Sequence, residues 1–240
     1  MSIATSKTAD DSAIMVDGER IAVRVCRSAR ARSYRLTLDT KRGGLRLSMP
    51  ARASVRKALG WAQGHEAWVR DQMARAPQAI ALRSGATFQL EGRDTLIVWD
   101  AAAPRRVMRV GDSVIVGGPE DAVGPRVLRW LKAEAKRVLE LETREIADRH
   151  GLAVASVGLG DPKSRWGSCA SSGVIRYSWR LILCPPHVRR ATVAHEVAHL
   201  LHMDHSPAFH AAHARLLGDD PRPARAWLKM HGGALHHVGL

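Results

Sequence analysis

Three residues of this 240-residue chain are spaced for metal chemistry: His195, Glu196 and His199, within H-E-V-A-H. Pro186, nine residues upstream of His195, is suited to the first turn of a helix. At 3.6 residues per turn, positions 195 and 199 then lie about 40° apart on one face and about one turn apart along the axis. Two imidazoles so placed can grip one ion. Glu196, about 100° further round, stands beside the ion, where its carboxylate can take a proton from bound water. Val193, Val197, Leu200 and Leu201 fall on the other side and are expected to fix the helix to a core, so that the histidines face a cleft. With twelve His and nine Glu in the chain, H-E-x-x-H arises by chance with a probability of roughly 2%.

Zinc catalysis requires a third protein ligand and a position left for water. No glutamate follows Glu196, so the third ligand is expected to be a histidine, with aspartate as the lesser alternative. The candidates are His202, His205, His210, His213 and Asp204. His202 would lie about 10 Å along the axis from His195, far for a shared ion. Ser206-Pro207 reads as an N-cap and first-turn proline of a new helix, so the chain reverses through Met203-Asp204 and can bring His205 back over the metal. His205 is therefore the preferred third ligand, and the other histidines are read as supporting or structural.

A zinc finger built from Cys169, Cys184, His195 and His199 is disfavoured. Fourteen residues separate its cysteines, where such sites usually have about two to four. A Cys169 nucleophile has no orienting context, and both cysteines are read as small buried residues.

The elements that must position these residues follow from periodicity. Residues 1–15 have no period and read as a flexible lead-in. Strands are expected over 21–27, 33–39 and 45–50, with Lys41-Arg42-Gly43-Gly44 as a turn, giving a small antiparallel sheet. A helix over 53–75 follows, capped near Ser54, with Val55, Leu59 and Ala62 on its buried stripe and two tryptophans, Trp61 and Trp68, as further candidates for it. A second similar strand set is expected over 86–92, 95–100, 105–110 and 113–118, without an internal repeat. A long amphipathic helix runs from about Val123 to His150, stopped by Gly151. Strands near 154–159 and 174–179 and helices from Pro186, Ser206 and about Pro223 complete the chain. Residues 233–240 read as a loose tail with His236 and His237 solvated. The expected parts are thus a lead-in (1–15), a β-rich part with one helix (16–122), a metal-binding part (123–232) and the tail.

Composition sets further bounds. A hydrophobic content of 45% supports a globular core, and three scattered cysteines do not form a disulfide framework. No signal peptide and no apolar run long enough to span a membrane is read, so a cytoplasmic protein without membrane partners is expected. The net charge is +14, and residues 20–60 hold twelve Lys or Arg against one acid, Asp39. Such a stretch can track nucleic-acid phosphates, but Tyr34 is its only aromatic residue, and a solvated sheet face is the preferred reading.

The chain resembles the YgjP-like family of zinc metallopeptidases, whose active-site helix is related to those of SprT-like and other zincin proteases. The resemblance rests on S-R-W-G-S-C at 164–169, S-W-R-L at 178–181, H-E-V-A-H at 195–199 and H-S-P-A-F at 205–209. It extends less sharply over the first half and to A-W-L-K at 226–229. It implies His195, His199 and His205 as ligands of Zn2+ and Glu196 as the catalytic acid residue, the same four residues reached above. The chain departs from the family pattern at His210, where tryptophan is common after the phenylalanine, and at Tyr177, where asparagine is common. These departures bear on substrate preference.

The expectation is an α+β protein with a β-rich N-terminal part and a zincin-like C-terminal part. It would hydrolyse peptide or protein substrates with a zinc-activated water and Glu196 as general base. Tyr177, Arg165, Arg180, His202 and His210 are the candidates for stabilising the oxyanion. The alternative is a basic nucleic-acid-binding protein with a structural zinc, or a protease acting near DNA.

Overall fold

Alternation of apolar and polar residues builds the first sheet. In Leu45–Pro50 (β4) the side chains of Leu45, Leu47 and Met49 are buried while Arg46 is exposed. The computed structural model describes residues 12–39, 44–75 and 79–239. The chain divides into two compact units, Met1–Gln78 and Ala79–Leu240.

In the first unit, Ala13–Val16 (β1), Glu19–Ser28 (β2), Arg35–Leu38 (β3) and β4 pair in the order β1-β2-β4-β3. β1 takes up residues expected in the lead-in, because Ile14 and Val16 have a core to enter. The sheet is mixed and not antiparallel throughout: β4 inserts between β2 and β3 and runs parallel to β2. Of the expected 41–44 turn, only Gly44 lies within the described residues.

The expected 53–75 helix is two, Val55–Gln63 (α1) and Glu66–Arg75 (α2), broken at Gly64-His65. The Ser54 hydroxyl caps α1 by accepting from Lys57 N at 3.5 Å. Ala58, Ala62 and Val69 seal the apolar face of the sheet. Trp61 is half-buried, whereas Trp68 is exposed and outside that core.

In the second unit, Thr87–Leu90 (β5), Arg93–Trp99 (β6), Val107–Val110 (β7) and Ser113–Val116 (β8) pair as β5-β6-β8-β7. The central pair is parallel and both flanking pairs are antiparallel, the topology of the first sheet. Each opening hairpin turns on an acid-glycine pair at positive φ, Asp17-Gly18 (50° and 83°) and Glu91-Gly92 (53° and 75°). Two successive left-handed residues match the twist of a two-residue hairpin.

Phe88, Leu90, Ile97, Val114 and Val116 share one core with Val127, Leu131 and Ala135 of Val123–Arg149 (α3). The second sheet therefore belongs with the helices that follow it. The boundary expected near residue 122 falls inside this unit.

A third sheet holds Ser156–Gly160 (β9), Gly167–Cys169 (β10) and Val174–Ser178 (β11) in the order β10-β11-β9, with β10 at an edge. A 3-10 turn at Trp179–Leu183 leads to Pro186–Ala198 (α4), Pro207–Leu217 (α5) and Arg222–Leu235 (α6).

Residues 233–239 are not a loose tail. α6 continues to Leu235, Val238 is buried and bridges Ile80, and the buried Arg180 guanidinium donates to the carbonyls of Leu235 (2.6 Å) and Val238 (2.9 Å). His237 is likewise buried, and the ring of His236 stacks on Trp166. The molecule is thus mixed α and β. Among the described residues, no helix is long and apolar enough to cross a membrane.

Candidate metal centre

α4 is anchored before it reaches the site. Arg189, only 4% exposed, donates to both sides of the helix: to Glu142 Oε1 of α3 at 3.0 and 2.9 Å, and to Glu91 Oε1 of the β5–β6 turn at 3.1 Å. Burial opposes ionisation of Glu91, but Arg109 and Arg189 outweigh it and hold its carboxyl below the usual range. One and a half turns further on, the helix presents His195, then Glu196, and ends with His199 as its C-cap. Val193 and Val197 are fully buried as expected; Leu201 is 39% exposed, because α4 has ended before it.

The reversal after α4 is held by local hydrogen bonds. His199 Nδ1 lies 3.0 Å from the His202 carbonyl, to which it donates, leaving Nε2 free for a ligand role. Asp204 Oδ1 accepts from Ser206 N at 3.2 Å, and Ser206 Oγ caps α5 by accepting from Phe209 N at 3.4 Å. This returns His205 to the face of α4, its Nε2 3.3 Å from His195 Nε2. The buried Phe209 ring backs all three imidazoles, with centroids 4.9, 4.5 and 4.8 Å from those of His195, His199 and His205.

The donor set fits a tetrahedral ion. One nitrogen from each of His195, His199 and His205 lies within 4.8 Å of the others. Two nitrogens bound at about 2.0–2.1 Å in tetrahedral geometry stand about 3.3 Å apart, the separation between His195 and His205. Burial, then the neighbouring His213, His199, His205 and Arg225, push the His195 pKa down to about 3, so its ring is a neutral donor at pH 7. Burial lowers His199 in the same sense.

Glu196 is 5% exposed, and burial, opposed by Arg165, pushes its carboxyl up to about 7. A Cβ on Gly167 would stand 2.5 Å from Glu196 Oε1 and 2.6 Å from its Cγ. The missing side chain is what lets the carboxylate lie against β10. Trp166 fixes β10 from the other side, packing so closely on α6 that a Cβ on Gly232 would meet its ring at 2.7 Å.

These elements enclose an open cleft of about 480 Å³, within the span of small-molecule sites. Its walls include Arg165–Cys169, Ala191, Thr192, the three histidines, Glu196, His213, and Ala224, Arg225 and Leu228 of α6.

The other candidates separate clearly. His202 contributes its carbonyl, the exposed His210 ring is 6.4 Å from that of His205, and buried His213 donates from Nε2 to the Ala191 carbonyl at 2.9 Å. Of the five oxyanion candidates only Arg165 lines the cleft. Tyr177 is buried with its hydroxyl 3.0 Å from Thr143 Oγ1, and burial drives its pKa far up. Arg180 is held by Asp161 at 2.7 Å and by the C-terminal carbonyls. Cys184 is buried, whereas Cys169 is half-buried and lines the cleft; neither joins the three-histidine group.

Sequence reasoning missed Arg225 and the role of Gly167. A glycine inside a strand signals close approach by another group, but periodicity marks no strand at 167–169, where β10 lies. In the basic 20–60 stretch, Arg24 pairs with Asp39 at 2.7 Å and Arg27 donates to the carbonyls of Ala51 (2.6 Å) and Ala53 (2.9 Å), so two of its charges are spent within the fold.

No curated protein and no solved structure matches the chain. A family profile does, over residues 34–231, which takes in most of both units. The chain belongs to the YgjP-like family and carries its metallopeptidase domain.

Proposed function

We propose that the protein is a zinc-dependent peptidase with His195, His199 and His205 as ligands and Glu196 as general base, in a zincin-like arrangement of helix and edge strand. The observation that carries this reading is the convergence of three imidazole nitrogens within 4.8 Å, with a buried carboxyl on the adjacent helical position. Bound zinc supplies Lewis acidity, which polarises a carbonyl and makes water a better acid.

The remaining steps fall to the chain's own residues. The buried Glu196 takes a proton from the attacking water, holds it, and returns it to the departing amine. Gly167 keeps β10 close enough to set the direction of that carboxylate. Arg165, which lines the cleft, would receive the negative charge developing on the carbonyl oxygen. The half-buried thiol of Cys169 is pushed up by burial and by Glu196, which makes it a poor nucleophile. Among the described residues of 20–60, no built anion site supports a nucleic-acid reading.

The test compares the parent protein with His205→Ala and Glu196→Gln. Metal analysis should find one zinc per chain in the parent and in Glu196→Gln, with much weaker retention in His205→Ala. Peptide hydrolysis should survive only in the parent. Zinc loss in Glu196→Gln as severe as in His205→Ala would make the carboxylate a ligand and refute the assigned roles.

A further inference from the structure

We propose that the cleft selects substrates bearing a carboxylate beside the scissile bond, and that Arg225 of α6 is the specificity residue that holds it. This inference rests on the peptidase reading and deepens it. Ala191 and Thr192, one turn before His195 on α4, face Ala224 and Leu228 of α6 across the same cleft. These apolar walls accept the body of a side chain. Arg225, next to Ala224, supplies the one cation on that wall.

Its charge is uncommitted. Among the described residues, the Arg225 side chain has no hydrogen bond or ion pair, whereas Arg180, Arg189 and Arg190 are all tied to carboxylates. The sole acid lining the cleft is Glu196, buried and against β10. Arg225 is exposed at the cleft, where an incoming ligand can reach it, and its planar guanidinium can bind a carboxylate bidentately. The carboxylate can come from a Glu or Asp side chain or from a peptide's C-terminus.

The experiment measures binding of labelled peptides to the zinc-loaded, full-length Glu196→Gln protein by fluorescence anisotropy, and cleavage of the same peptides by the parent. One arm exchanges Glu for Gln at successive positions of a capped peptide; the other compares a free C-terminus with its amide. The carboxylate member of one arm should bind about fivefold more tightly, about 1 kcal/mol, and the arm that responds identifies the source. Adding Arg225→Gln should level the pair, Arg225→Lys should leave a reduced preference, and Arg225→Glu should turn the preference toward a Lys peptide.

Equal binding within both arms, failure of every carboxylate peptide to bind, or a preference that survives Arg225→Gln would overturn the inference. The two readings fail separately. A parent that cleaves without carboxylate preference sinks only this one; a zinc-loaded parent that cleaves nothing, while Arg225-dependent binding persists, sinks only the peptidase reading.

Discussion

Replacing Glu196 with Gln in zinc-free protein should stabilise the second unit at alkaline pH and lose that advantage in acid. Burial raises the folded carboxyl from 4.5 to about 7. Between those values the folded chain holds a proton that the unfolded chain releases, so parent stability falls as pH rises through the window. At 1.36 kcal/mol per pH unit, the full displacement is worth about 3 kcal/mol. Glutamine is nearly isosteric and does not ionise; any packing difference it introduces is independent of pH.

Urea denaturation of both chelator-treated proteins from about pH 4 to about pH 8 isolates the effect, because other titrations cancel in the difference. The curves should diverge by about 3 kcal/mol from acid to alkaline pH, with Glu196→Gln the more stable. Zinc should shrink the divergence, since a nearby cation favours the carboxylate. A difference between the two proteins that does not change with pH would refute the claim that burial governs this group.

Gly167→Ala should retain zinc but lose about a hundredfold in hydrolysis, because its Cβ would displace the carboxylate from 2.5 Å contact; parent-like turnover would show that Glu196 has no fixed position to lose. Arg189→Ala should cost about 3–5 kcal/mol in thermal or urea unfolding by orphaning Glu142 and leaving Glu91 to Arg109 alone, and an effect typical of a surface pair would contradict it. Deleting residues 236–240 should cost about 2–4 kcal/mol through loss of buried Val238 and an acceptor of Arg180; an unchanged melting temperature would show that the C-terminal docking is of no consequence.

The residues that carry local signals were legible. H-E-V-A-H, the proline that opens α4 and the Ser206-Pro207 start of α5 are encoded within a few residues each, and α4, α5 and α3 lie where periodicity puts them. What failed to show were long-range pairings. Parallel pairing of β2 with β4 and of β6 with β8 is decided by which strand fills a gap, not by alternation. The end of the chain looks loose until Arg180, more than fifty positions earlier, is seen to bind the carbonyls of Leu235 and Val238. Arg225 carries no motif at all; it enters the cleft because Trp166 and Gly232 set the position of α6.

The shared topology of the two four-stranded sheets explains why the second cannot be separated from the site. In each, the acid of the acid-glycine turn binds an arginine on a helix: Asp17 accepts from Arg70 Nε at 2.9 and 2.7 Å, and Glu91 accepts from Arg189 at 3.1 Å. The first pair is half-exposed, at 52% and 56%, and so contributes little. In the second the arginine is buried and shared with Glu142, and the turn's Gly92 packs on Pro185 so tightly that a Cβ would meet its Cγ at 2.6 Å. Backbone bonds from Glu91 N to Ile182 O (2.9 Å) and from Gly92 N to Leu183 O (3.0 Å) complete the joint. That joint fixes where α4 starts, and His195 lies about 9 Å along the axis from Arg189 at 1.5 Å per residue. A hairpin turn of the second sheet therefore sets the height at which the first histidine meets the other two.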